Sequence, residues 1–562
     1  MSEIILSPGV FQIESDQSLY TQAPPVLGAA IVGPTVSGRP YVPTYVTTYS
    51  QYLSLFGDVF KSGSYYYEYF TSQAAKEYFS NGGQTLLVTR IISGSANVST
   101  YATSPVSASV NISFELEALA WGNQMNNSGT EVSGALASGS AYNMRWEVTN
   151  VNTGSNGGTF TIVVRRGDDN NAQKNILETW ANVSLDPMLP NYISRVIGDL
   201  KPVYDITNKY VNYTGSFSNA SQYVRVKSVA TPNVDSIDNN GNFKSASYAT
   251  TLPLVASGSF GGGVVDTTAT KNMNENVTTG NIQGFHTDDY NLAFALLTNK
   301  DEYQFNVLMA PGVGISSNMI ATCEGRGDAI AITDAGKYGQ SITDATTAAA
   351  GQSSNYAATY YPWIQLYSNN LGRVAWCPPS TVIGGVLAFN DQVGAEWFAP
   401  AGLNRGGVPS VIRAERRLQQ TDRDTLYTGN VNPLATFPGT GVCVWGQKTL
   451  QRKPTALDRV NVRRLLIALK EYIGGVSRNL VFEQNTTVTR NSFLARVNPY
   501  LESVVQRQGL YAYKVIMDET NNTADVVDRN QLVGQIYIQP TKTAEFIILN
   551  FNILPTGATF PA

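Results

Sequence analysis

The chain has 562 residues, of which 43% are hydrophobic and 14% charged, with a formal net charge of −4. That length suits several domains or one core with insertions, and the charge content lies well below the ~25% usual for soluble chains. Nothing in this balance marks a nucleic-acid binder, no window approaches 18 uncharged apolar residues, and the start MSEIILSPGV lacks the basic n-region of a signal peptide, so neither membrane insertion nor a secretory leader is expected.

Residues 1–22 carry apolar groups without helical spacing and read as an extended arm. The run VLGAAIV (26–32) predicts a buried strand, and 65–80 (YYYEYFTSQAAKEYFS) predicts a helix with Tyr66, Tyr69, Phe70, Ala74, Tyr78 and Phe79 near one face, stopped by Asn81-Gly82-Gly83. QTLLVTRII (84–92) is then a strand, and this alternation predicts an α/β core. From about 95 to 280 the composition turns to Ser, Thr, Asn and Gly. Alternating runs at 142–149, 159–166 and 223–229 predict a β-rich insertion. The α/β character returns at 290 with LAFALL, a strand in FNVLMAPG, a helix near 316–324 and DAIAITD. Near the C-terminus, Val462, Leu465, Leu466, Leu469 and Ile473 recur at helical spacing behind Asp458 as the expected N-cap. A second helical pattern runs from Phe493 to Val505 and contains Pro499, which either kinks or splits it. Strands are expected at 511–517, 535–539 and 545–553.

Three cysteines, Cys323, Cys377 and Cys443, stand far apart with no CxxC pair, which argues against a metal site or disulfide framework. The one histidine, His286, excludes a multi-His metal site and has no recognisable nucleophile to serve. There is no P-loop, HExxH or GxSxG motif. Arg326-Gly327-Asp328 reads as a turn between a helix and the run AIAIT. The N-x-[ST] triplets at Asn97, Asn182, Asn276 and Asn485 read as side effects of composition. Residues 451–562 hold 13 Lys and Arg against 9 Asp and Glu, so a net +4 C-terminal part sits under a net −8 body. Arg459, Arg463, Arg464 and Lys470 lie on or near one helix, and an electrostatic contact with an acidic protein partner is the favoured reading over a solvated face. The two termini are apolar and extended, which is a liability in a monomer. They make sense if each chain donates strands to its neighbours' sheets, a head-to-tail contact that propagates.

At this point the chain resembles the contractile tail sheath proteins of bacteriophages and related contractile injection systems. SPGVFQIESD is similar to the family's N-terminal start, GAAIVGPTVSGRP…FGD to its next block, and AAKEYFSNGGQTLLVTRI to its helix–GG–strand unit. Within the insertion, Ala118–Asn123 and Asn182–Ile197 resemble two landmarks. Tyr360–Trp363, CPPSTVIGGVLAFND, Ala399–Gly406, LYTGNVNPLATFPGTGVCVWGQKTL and DRVNVRRLL match most strongly. The family's usual basic position after the CPPSTVIGGVLA block is here Phe389-Asn390-Asp391.

The resemblance implies a multidomain α+β and α/β chain: a core of mixed sheets with helices, a β-rich outward insertion, and extended arms. The expected division is an arm at 1–22, a core built from 23–94 and 286–450, an outer insertion at 95–285, a tube-facing domain at 451–540, and a C-terminal strand and arm at 541–562. It implies a structural subunit, not an enzyme, with no cofactor or metal. Partners would be copies of itself in stacked hexameric rings, the inner tail tube protein, and baseplate and tail terminator proteins, in a virion tail or injection particle assembled in the bacterial cytoplasm. Arm exchange is expected of Ile4, Ile5, Val10 and Phe11 at one end and Phe546, Ile548, Leu549, Phe551 and Ile553 at the other. Tube contact is expected of Arg459, Arg463, Arg464 and Lys470. The rival reading is a β-rich receptor- or sugar-binding surface protein. An enzyme that remodels envelope polymers lacks a credible acid/base constellation.

Overall fold

The computed structural model describes residues 28–62, 65–92, 101–109, 111–121, 125–127, 134–153, 158–205, 207–230, 240, 251–263, 272–278 and 280–546. Its organising element is an eight-stranded sheet. Six strands run parallel, in the order Leu86–Arg90, Ala29–Gly33, Val307–Met309, Ile330–Asp334, Ala357–Tyr361 and Asn432–Phe437. Antiparallel strands close the two edges, Thr44–Val46 on one and Gly441–Val444 on the other. Segments 29–90 and 307–444 thus complete one sheet across the intervening insertion. Five of the six inner strands are buried along their whole length, as a parallel sheet covered on both faces requires.

Helices Phe70–Ser80 and Ser380–Val393 pack on each other and against this sheet. Their approach is close: a Cβ at Gly385 would lie 2.8 Å from the Glu77 carbonyl oxygen. The helix expected over 65–80 begins only at Phe70. Residues Tyr65–Glu68 instead form a hairpin strand with Val59–Ser62, leaving Tyr65 and Tyr66 exposed. A run of tyrosines suits a strand, and the available partner strand overrides the helical spacing.

The insertion builds its own core. A four-stranded sheet (Ile176–Val183, Thr159–Arg166, Met144–Asn152, Ala256–Ser259) and a three-stranded sheet (Val224–Val229, Ile112–Trp121, Tyr101–Ser107) share one apolar cluster, in which Phe114 and Phe160 stack at 5.5 Å. The alternating runs expected at 142–149, 159–166 and 223–229 all fall on these strands.

A third core belongs to the C-terminal part. Helices Val460–Arg478 and Thr487–Gln506 bury Leu465, Leu469, Phe493, Val497 and Leu501 with Ala395 and Trp397 of the preceding region. Pro499 neither splits nor ends its helix. It and Ala495, whose carbonyl it leaves without its helical partner, are both exposed, which leaves that carbonyl open to solvent. Asp458 is not the N-cap: it ends a short 3-10 turn whose cap is Thr455, and the long helix starts behind Arg459. Strands Leu510–Ile516 and Gln535–Pro540 follow as an antiparallel hairpin. Of the strand expected at 545–553, only Glu545 and Phe546 are described, and they are not in a strand.

Candidate functional site

The residues that join the C-terminal helices to the sheet domain are those whose charge drew notice in the sequence. The apolar stripe of Val460–Arg478 must face the third core. That turns its cations toward the central domain. Arg464, 2% exposed, donates from both terminal nitrogens to the Asp391 carboxylate at 2.7 and 2.5 Å. Such a two-pronged pair fixes orientation as well as charge. Burial disfavours the Arg464 cation, but Asp391 and then Glu396 outweigh it and hold its proton more tightly than usual. Arg463, 3% exposed, lays its guanidinium 4.0 Å over the Tyr356 ring and donates to Asn355 Oδ1 at 2.6 Å. Lys470 is exposed and donates to the Tyr356 hydroxyl at 3.2 Å.

Arg459 makes a second junction, with the start of the C-terminal tail. Its Nε and Nη2 donate to Glu545 at 2.7 and 3.0 Å. The Tyr427 hydroxyl and the Gln447 amide donate to the same carboxylate at 2.6 and 3.1 Å. Burial pushes the Glu545 carboxyl up, but these hydrogen bonds together pull it below its ordinary value. Three separate segments therefore grip residue 545 just where the tail begins.

The four proposed tube-contact residues are thus brought onto one side of the C-terminal domain, but Arg463 and Arg464 spend their charge inside the chain. Of the arm residues, Phe546 is 77% exposed; Ile4, Ile5, Val10, Phe11, Ile548, Leu549, Phe551 and Ile553 lie outside the described residues. Sequence reasoning missed Asp391, Glu545 and Trp397. Asp391 had a signal: it lies in the stretch Phe389-Asn390-Asp391, where the chain departs from the resembled family's pattern. Trp397 is anchored by donating to the Arg507 carbonyl at 3.0 Å, which no local pattern announces.

Other conspicuous residues are structural. His286 caps helix Thr287–Leu296, with Nδ1 2.7 Å from the Gly280 carbonyl. Arg326 ends helix Ser317–Arg326 buried, donating to Asp328 and to the Leu297 and Tyr303 carbonyls, so the RGD tripeptide is a turn. All three cysteines are buried, and burial raises each thiol, that of Cys443 to about 11. Among the described residues no cluster of three His, Cys, Asp or Glu is placed to hold a metal, and no helix is long and apolar enough to cross a membrane. What the arrangement can do is hold elements together and present edges. Strands Leu510–Ile516 and Gln535–Pro540 pair only with each other among the described residues, so each offers an open outer edge.

Comparison with known proteins bears directly on this region. Residues 283–450 match the phage tail sheath protein central domain, and 452–554 the phage tail sheath C-terminal domain. The chain is 38% identical over 208 residues to a tail sheath protein of Vibrio phage KVP40, covering 37% of this chain and 31% of that protein. It is 37% identical over 228 residues to the tail sheath protein of Enterobacteria phage T4, covering 41% and 34%. The match therefore spans about a third of each relative's length. The crystal structure of a sheath tail protein from Listeria innocua, 10% identical, superposes with a TM-score of 0.51 over 92% of this chain and 95% of that one, a likeness of fold. The chain thus carries, at residues 283–450 and 452–554, matches to the central and C-terminal domains of phage tail sheath proteins.

Proposed function

We propose that the chain is a structural subunit of a contractile tail sheath. Copies polymerise as stacked hexameric rings around an inner tail tube, attach to a baseplate and a terminator, and contract to drive the tube through a bacterial envelope. The particle is a phage tail or an injection machine, assembled in the bacterial cytoplasm. No catalytic role is proposed. In this reading 23–94 and 286–450 form the core, 95–285 faces outward, and 451–540 faces the tube.

The observation that carries the reading is the C-terminal hairpin. A two-stranded ribbon with both edges open is marginal by itself and accepts strands by edge addition. Residue 545 is clamped beside Arg459, so the tail that follows leaves from a fixed point. The arms at 1–22 and 541–562 are the proposed donors, each to another copy's hairpin. Tube contact is proposed for the helix bearing Arg459, Arg463, Arg464 and Lys470, with Lys470 as its exposed charge and the two buried arginines setting the helix's seat. The extended lattice is then a kinetically trapped state, and firing moves subunits as nearly rigid bodies while the arms stay paired.

The test is negative-stain electron microscopy of the full chain, alone and with its tube protein, beside a deletion of residues 1–15. Tubes or stacked rings from the wild type, and folded but dispersed subunits from the deletion, are the expected results. A wild-type chain that stays dispersed with the tube present refutes the sheath reading. Intact polymers from the deletion refute arm exchange.

A further inference from the structure

We infer that the outer face of the small sheet formed by Arg373–Cys377, Ile364–Ser368 and Val411–Ala414 docks the acidic tip of the C-terminal hairpin of a second copy of this chain. The inference rests on the self-assembly proposed above and adds a contact made by neither arm.

Among the described residues no element covers the exposed side chains of this sheet face, which has the composition of an interface centre. Tyr367 and Val374 stand opposite each other in register and are exposed at 53% and 47%. Ile412, also exposed, is the extra residue of a bulge. In the next cross-strand row, Arg413 donates to Gln365 at 2.9 Å and lies 5.2 Å over the Trp376 ring. Tyr, Trp and Arg together are what interface centres concentrate. Arg416 and Arg417, just beyond the last strand, are exposed. Arg416 and Arg417 make no ion pair among the described residues. The acids nearby are engaged within the chain. Glu415 accepts from the Gly339 N–H at 2.8 Å, and Asp344 and Asp422 accept from the backbone at the caps of their helices.

The complementary surface is the connection between the hairpin strands. There Asp518, Glu519, Asp525 and Asp528 are all exposed, and the only cation is Arg529, already paired with Asp525. This is a negative tip on a C-terminal part that is otherwise net positive. Face and tip lie on different elements, so the contact can repeat head-to-tail from copy to copy and build a ring or a helix. Arginine–carboxylate pairs at its rim would set register and speed encounter.

The test uses exposed charges, with a thermal melt of each variant as the folding control. Full-length wild type, R416E/R417E, D525K/D528K and the fourfold swap are compared by sedimentation and electron microscopy. Each double reversal is expected to cut the polymer fraction at least tenfold, and the fourfold swap to restore it. Mixing the two double variants is expected to give an alternating copolymer. Double variants that polymerise like wild type, or a swap that fails to restore, overturn the docking proposal alone. A wild type that never polymerises, even on its tube, removes the sheath reading and this proposal with it.

Discussion

The Arg464–Asp391 pair makes a prediction whose size and asymmetry both follow from the geometry. The Arg464 side chain is 2% exposed and that of Asp391 is 30%. Asp391→Ala leaves a guanidinium in the interior with only Glu396 as a neighbouring charge, and removing one partner of a buried pair costs about 3–5 kcal/mol. We take the lower end, about 3 kcal/mol, because one edge of the site is wet. Arg464→Leu strands instead a carboxylate that can turn to water, so it costs less. The double variant, with no orphan charge, costs less than the sum of the two. Because a chain with three cores does not unfold as one unit, the assay is amide hydrogen exchange in Val460–Arg478, which reads local opening. A loss of about 3 kcal/mol corresponds to exchange roughly 100-fold faster. Expected are a large acceleration for Asp391→Ala, a smaller one for Arg464→Leu, and partial recovery in the double variant. If both single variants exchange at the wild-type rate but fail to bind tube, Arg464 is a surface ligand and the seat described here is wrong.

Further expectations attach to single positions. Glu545, held below its ordinary value of 4.5 by Arg459, Tyr427 and Gln447, stabilises the tail root above that value. This contribution fades as pH falls beneath it, so proteolysis near residue 545 should accelerate in acid, and Glu545→Gln should show the acid behaviour already at pH 7. Glu471 runs the other way. Burial first, then Glu396 and Asp328, raise it to about 8, so its contribution is full in acid and lost as pH rises from the usual carboxylate range through about 8. Glu471→Gln should flatten the melting temperature of the C-terminal domain across that window; an unchanged slope refutes the assignment. Gly385→Ala places a methyl 2.8 Å from the Glu77 carbonyl oxygen between two packed helices. It should cost about 1–3 kcal/mol, visible as a lower melting temperature, whereas Gly475→Ala, with open space around it, should not.

Much of the fold was legible because its signals are local. The strand in 26–32, the strand at 84–92 and the alternating runs of the insertion each carry their burial in their own residues, and the structure places strands at all of them. The misreadings arose where a distant segment decides. Residues 65–68 have helical spacing, but the strand Val59–Ser62 claims them. Pro499 survives because its side of the helix faces water, which a helical repeat does not state. That segments 29–90 and 307–444 share one sheet could be argued from the resemblance, but no periodicity records it.

The charge of the C-terminal part shows most clearly what a sequence leaves open. A net +4 over residues 451–562 reads as a cationic surface awaiting an acidic partner. In the folded chain the acidic partner is largely the chain itself: Asp391 takes Arg464, Glu545 takes Arg459, and the Tyr356 ring takes Arg463. The helical spacing that brings the cations together follows from the apolar stripe of the same helix, since seating Leu465 and Leu469 in their core turns Arg463 and Arg464 against the central domain. A buried cation in that position must be paired, and it is. These pairs form an electrostatic interface within the subunit, and the contact with an acidic partner proposed for the same helix is left to its exposed charge, Lys470. If the sheath reading is right, those pairs make the C-terminal domain move with the sheet domain, and the free energy of contraction must reside in exposed charges such as Lys470, Arg416 and Arg417 and in the strands exchanged between copies.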